Sequence, residues 1–110
     1  MKIETQCLHE GYTPGNGETR VLPIYQSTTY VYDSTEHVGD LFDLTAEGHM
    51  YSRISNPTVA AVEEKIAALE GGVGALCTSS GQAANLIAML TILKSGDHMI
   101  STGTIYGGTV

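Results

Sequence analysis

The chain has 110 residues, a formal net charge of −7, and only 15% charged residues. That length suits one small domain, and the absence of a basic stripe argues against nucleic acid or an anionic membrane as a partner. No apolar stretch reaches bilayer length: the longest, around Leu86 to Leu93, is interrupted by Thr91 and bounded by Asn85 and Lys94.

The N-terminus lacks the basic and apolar regions of a signal peptide. Cys7 and Cys77 form no metal or redox motif, so a reduced, cytoplasmic protein is expected. Cys77 reads as a small buried apolar residue. His9, His37, His49 and His98 sit in separate segments without ligand spacing, and no metal is expected. Glu63 and Glu64 read as a solvated helix face.

Residues 1–33 are rich in Gly, Thr and Tyr, with Pro14 and Pro23, and read as a mostly extended arm. "STEHVGDLFDL", residues 34–44, reads as a short helix. Ser34 is its cap, Glu36 lies in its first turn, and Val38, Leu41 and Phe42 share a face. "SNPTVAAVEEKIAALEGG" is the clearest local signal. Asn56 caps it, Pro57 suits the first helical position, and Val59, Val62, Ile66 and Leu69 recur at helical spacing. Gly71 and Gly72 end it.

A strand is expected at about 73–78, a helix at about 81–94, and a second strand at about 97–102. The helix between them is apolar on nearly all sides and should be buried. Alternating helices and strands with short links imply an α/β fold with a parallel sheet. Two parallel strands do not make a stable sheet, and parallel sheets need helices over both faces. The chain is therefore expected to be part of a larger unit, whether truncated, cleaved or completed by partners.

"CTSSGQAANL", residues 77–86, joins the first of these strands to the helix through a turn of small residues. The first turn of a helix has N–H groups without intrahelical acceptors, and the macrodipole adds partial positive charge there. Ser79 and Ser80 add hydroxyls, and Gly81 lets a ligand approach the backbone. Phosphate is the usual guest at such a place, although Ser and Gly also make ordinary helix caps. Neither a Walker loop nor GxGxxG is present.

"LPIYQSTTYVY", "YSRISNPT", "ALEGG", "SSGQAA" and "YGGT" follow in this order along the chain. Together they resemble the N-terminal part of the Cys/Met-metabolism family of pyridoxal-phosphate enzymes, over nearly the whole chain. The resemblance implies a fold-type I α/β protein: an N-terminal arm, then the start of the large domain of a pyridoxal-phosphate transferase, incomplete in this chain. Residues 1–55 would be a subunit-contacting arm with a short helix, and 56–110 the beginning of the cofactor domain.

The implied cofactor is pyridoxal 5′-phosphate. By resemblance, Ser80 and the backbone N–H groups of Gly81 and Gln82 hold its phosphate, and Tyr106 stacks on its ring. Tyr51 and Arg53 serve the phosphate of a neighbouring subunit's cofactor, in a homodimer or homotetramer with shared sites, and Tyr51 and Tyr106 are the catalytic candidates. Arginine offers a planar fork of donors matched to phosphate oxygens. Asn56 keeps two readings: a helix cap, or a residue that fixes substrate or the Arg53 loop.

The implied reaction is γ-replacement on O-acetyl-L-homoserine, in which a sulfur donor displaces acetate to give homocysteine. A methionine γ-lyase, or a cystathionine γ-synthase or lyase, is the alternative inside the family. A non-catalytic module for phosphate-bearing ligands is the alternative outside it. Gln82, where some lyases carry Met, leans toward γ-replacement by sulfide. This chemistry needs a lysine bonded to the cofactor and an acid at the pyridinium nitrogen. Lys2, Lys65 and Lys94 are the only lysines, and none matches the family's catalytic motif.

Overall fold

The computed structural model describes residues 1–110. The order is α1 (Ile3–His9), α2 (Thr35–Phe42), α3 (Pro57–Glu70), α4 (Gly81–Ile92) and a single 3₁₀ turn at Gly107–Thr109. The chain divides into residues 1–75 and 76–110, each a compact unit. No helix is long and apolar enough to cross a membrane.

The expected extended arm begins instead with α1. Seven residues make a marginal helix alone, and this one draws on α3, against which it packs. Lys65 Nζ donates to the Cys7 carbonyl at 3.1 Å, pinning the last turn of α1 to the middle of α3. Gly11 then crosses α3 with φ of 83°, where a Cβ would fall 2.1 Å from the Ala61 carbonyl oxygen. Only glycine fits that crossing. The arm is thus less bare than its composition implies.

α2 and α3 form where their caps predict. Ser34 Oγ accepts from the His37 N–H at 3.1 Å, and Asn56 Oδ1 accepts from the Thr58 N–H at 2.9 Å. Pro57 opens α3, and Gly71 closes it in the left-handed region at φ of 66°. Leu41 is the best-buried side chain, 1% exposed. Gly48 makes room for it: a Cβ there would lie 2.8 Å from Leu41 Cδ2. Phe42, expected on the same face, is exposed, and so are Val59, Val62 and Ile66 of the α3 stripe.

In residues 76–110, α4 forms behind its Ser80 cap, and Ser80 Oγ accepts from the Ala83 N–H at 3.1 Å. It ends at Ile92, two residues short of the expected boundary. The expected strands at 73–78 and 97–102 carry no sheet pairing; the sole β contact is an isolated antiparallel bridge between Thr29 and Tyr51. A strand is stable only when its backbone groups meet a neighbour's and its faces are covered, and residues 1–110 form no ladder around either segment. The same lack of covering layers overturns two further expectations. α4, expected to be buried, has no buried residue, and Cys77 is exposed.

Candidate functional site

Tyr51, Ser52 and Arg53 lie between α2 and α3, in residues 1–75. The segment 27–30 holds them from behind. The Ser52 N–H donates to the Thr28 carbonyl at 2.9 Å, and Ser52 Oγ donates to the Ser27 carbonyl. A tight turn follows, with the Ile54 and Ser55 N–H groups both on the Tyr51 carbonyl, at 2.8 and 2.9 Å. Ser52 is therefore directed inward. Arg53 is exposed, with its guanidinium carbon 5.4 Å from the centre of the half-buried Tyr51 ring. That contact is a cation–π pair. It leaves the guanidinium N–H fork open to an anion.

Asn56 is the only buried polar residue, 6% exposed. Its amide nitrogen reaches the Tyr25 carbonyl at 2.9 Å, Ser52 Oγ at 2.9 Å and the Tyr30 hydroxyl at 3.3 Å. The Tyr30 hydroxyl also lies 3.0 Å from Ser52 Oγ. Two residues on, the Thr58 hydroxyl donates to the Pro23 carbonyl at 3.0 Å and accepts from the Tyr25 N–H at 2.9 Å. The two sequence motifs "LPIYQSTTYVY" and "YSRISNPT" are therefore two halves of one hydrogen-bonded knot. Neither half shows this on its own, since the partners lie up to 35 residues apart.

Ser80, Gly81, Gln82 and Tyr106 come together in residues 76–110. The Gly81 and Gln82 N–H groups have no acceptor in the chain, as the start of a helix dictates. A Cβ at Gly81 would meet nothing within 4 Å, so no other part of the chain crowds that residue. Ser80 Oγ is occupied as an acceptor by the Ala83 N–H, and its O–H remains free to donate outward. These donors fit a phosphate group.

The Gln82 side chain donates to Thr109 Oγ1 at 3.0 Å, and Asn85 reaches the same oxygen at 3.5 Å. These bonds tie the 3₁₀ turn to the first turns of α4. They bring the Tyr106 ring with it, because that ring lies over Gly108, where a Cβ would sit 2.7 Å from a ring carbon. The ring itself is exposed. Thr109 is the residue that reading the sequence missed; nothing in its local pattern marks it as a partner of Gln82.

Lys65 is committed to Cys7 in the other unit, and Lys94 follows the C-terminal end of α4. That end is roughly 17 Å along the helix from Gly81 at 1.5 Å per residue. A cleft of about 480 Å³ between α1, the loop after it and α3 contains none of the site candidates. No group of three His, Cys, Asp or Glu residues is placed to hold a metal.

Known proteins resemble this chain in sequence and in backbone. The family model for Cys/Met metabolism PLP-dependent enzymes matches residues 4–110. The chain is 49% identical over 110 residues to O-acetyl-L-homoserine sulfhydrylase 1 of Thermus thermophilus, covering 99% of this chain and 26% of that protein. It is 49% identical over 108 residues to O-acetyl-L-homoserine sulfhydrylase of Corynebacterium glutamicum, covering 97% and 25%. Its backbone matches a crystal structure from Campylobacter jejuni, described as an O-acetylhomoserine (thiol)-lyase with N′-pyridoxyl-lysine-5′-monophosphate. The TM-score is 0.88 at 35% identity, over 99% of this chain and 27% of that one. The chain spans about a quarter of the length of these relatives.

Proposed function

We propose, from the premise that the chain belongs to the Cys/Met metabolism family of PLP-dependent enzymes, that it is the N-terminal part of an O-acetylhomoserine sulfhydrylase. Its fold is the start of the large domain of a fold-type I pyridoxal-phosphate transferase, with the sheet unformed in residues 1–110. The reaction is γ-replacement. The bond from Cγ of O-acetyl-L-homoserine to the acetate oxygen breaks, and a bond from Cγ to sulfide sulfur forms, giving homocysteine and acetate. The observation that carries this reading is the set of unpartnered N–H groups at Gly81 and Gln82, in a segment that the family model covers.

Bound pyridoxal phosphate supplies the electron sink that acidifies the substrate carbons. The chain's own residues bind and orient. Gly81, Gln82 and the Ser80 hydroxyl donate to the phosphate, and the exposed face of Tyr106 packs on the pyridine ring. Arg53 donates to the phosphate in a neighbouring subunit's site, where the Tyr51 hydroxyl holds or moves a proton. Residues 1–55 serve as the subunit-contacting arm and 56–110 begin the cofactor domain. The assembly is a cytoplasmic homodimer or homotetramer, and the lysine and the pyridinium acid lie outside residues 1–110.

Subunit mixing tests the shared site. Two inactive variants of the longer enzyme, Arg53→Ala and one lacking the catalytic lysine, are dissociated and reassociated together. A mixed dimer has one site with both groups intact, so activity returns in part. Confirmed exchange without any recovery would place Arg53 in its own subunit's site and remove the case for sharing.

A further inference from the structure

We infer that Ser52 and Asn56 are positioning residues that set how Tyr51 and Arg53 present themselves to a phosphate; this rests on the phosphate role proposed above for Arg53. A helix cap needs only the Asn56 side-chain oxygen, and that oxygen is already used by the Thr58 N–H. Capping does not explain why the residue is buried or why its amide nitrogen meets three oxygens, from Tyr25, Tyr30 and Ser52. An amide nitrogen has two hydrogens, so it serves two of these oxygens at full strength and the more distant Tyr30 hydroxyl weakly.

Ser52 is the joint through which this order reaches the outer surface. Its hydroxyl donates to the Ser27 carbonyl and receives Asn56 Nδ2, and with its proton so committed the Tyr30 hydroxyl is the donor in their 3.0 Å contact. Its N–H is fixed on Thr28 as well. Backbone and side chain of Ser52 are both anchored, so the residues on either side have little freedom in direction. Those residues are the two that stack on each other, Tyr51 and Arg53. A long arginine side chain on a loose loop loses rotamer freedom when it grips a ligand; one standing on an anchored backbone loses less. Asn56 touches neither Tyr51 nor Arg53 through any of its hydrogen bonds, and acts through Ser52.

The test uses the longer enzyme stripped of cofactor and titrated with pyridoxal 5′-phosphate. Ser52→Ala should raise Kd about tenfold, the size of one ordered hydrogen bond, while Ser52→Thr, which keeps the oxygen, should stay near wild type. Pyridoxal, which has no phosphate, should bind Ser52→Ala and wild type alike. Asn56→Ser keeps a good cap oxygen and should raise Kd in the same way with helical content unchanged. In an Arg53→Ala background the effect of Ser52→Ala should disappear, since a residue that acts through Arg53 has nothing left to position.

The inference is overturned if Ser52→Ala leaves Kd unchanged, weakens pyridoxal as much as its phosphate, or keeps its full effect without Arg53. Should Asn56→Ser fail to fold, Ser52→Ala still decides, because Ser52 caps no helix. An unchanged Kd in Arg53→Ala alone would overturn the phosphate reading itself, and the positioning role with it; that result is separable from a failure confined to Ser52.

Discussion

In residues 1–75, Leu41 is 1% exposed and Asn56 6%, whereas residues 76–110 contain no buried residue. The second region has the more apolar helix. Leu86, Ile87, Leu90 and Ile92 of α4 are all exposed, and full burial of each would contribute about 1.5–3 kcal/mol. Apolar content alone therefore does not make a core. The first region closes on itself because its partners are supplied from within: glycines that let chains cross, and polar side chains that meet backbone groups from the preceding arm. The second region consists of pieces whose natural partners are sheet neighbours and covering layers, and no such neighbours are formed.

The largest expected effect concerns that difference as a whole. Residues 1–110, purified alone, should show no cooperative thermal transition as a monomer, with the amides of 76–110 exchanging with solvent far faster than those of α3. A sharp melt with protected amides in α4 would break the comparison.

Point substitutions sharpen it. Leu41→Ala in the longer enzyme should cost about 2–5 kcal/mol, the usual range for a leucine lost from a packed core. Leu90, 68% exposed here, should cost a comparable amount when changed to alanine in the longer enzyme, if the rest of the fold covers α4. Chemical denaturation of both variants reads the two values side by side. A Leu90→Ala effect within about 0.5 kcal/mol, as at an ordinary surface position, would show that α4 stays uncovered.

A smaller effect probes the exposed end of α4. A side chain at Gly81 meets nothing within the chain, and Gly81 has no left-handed backbone to strain. Gly81→Val should therefore leave folding intact and act on the guest. Loss of close contact with the phosphate should weaken retention of pyridoxal phosphate about 10- to 100-fold, the scale of hydrogen bonds to a charged group. Cofactor absorbance after dialysis measures it. Full retention in a folded variant would reduce Gly81 to a turn residue.

The local elements were legible because their signals are local. Ser34, Asn56 and Ser80 each accept from a helix N–H two or three residues ahead, and Pro57 and Gly71 act through their own backbone angles. The anion-ready N–H groups at Gly81 and Gln82 follow from helix geometry in the same way. α1 was not legible, since its stability comes from Lys65 and from the close passage at Gly11, each fifty or more residues from its contact. The strands at 73–78 and 97–102 failed for the complementary reason: their residues suit strands, but pairing belongs to two segments at once.

The sequence by itself determined where α2, α3 and α4 start, where α3 stops, and, through five ordered motifs, the family. Those properties reside in single residues or short spacings. Only the tertiary structure decided that Ser52, Tyr30 and Asn56 form one knot behind Arg53, and that Thr109 fastens the Tyr106 turn to α4. It also decided that the most apolar helix lies bare. Hydrogen bonds between distant residues and burial against a surface depend on what else is present in space, and no local pattern encodes that.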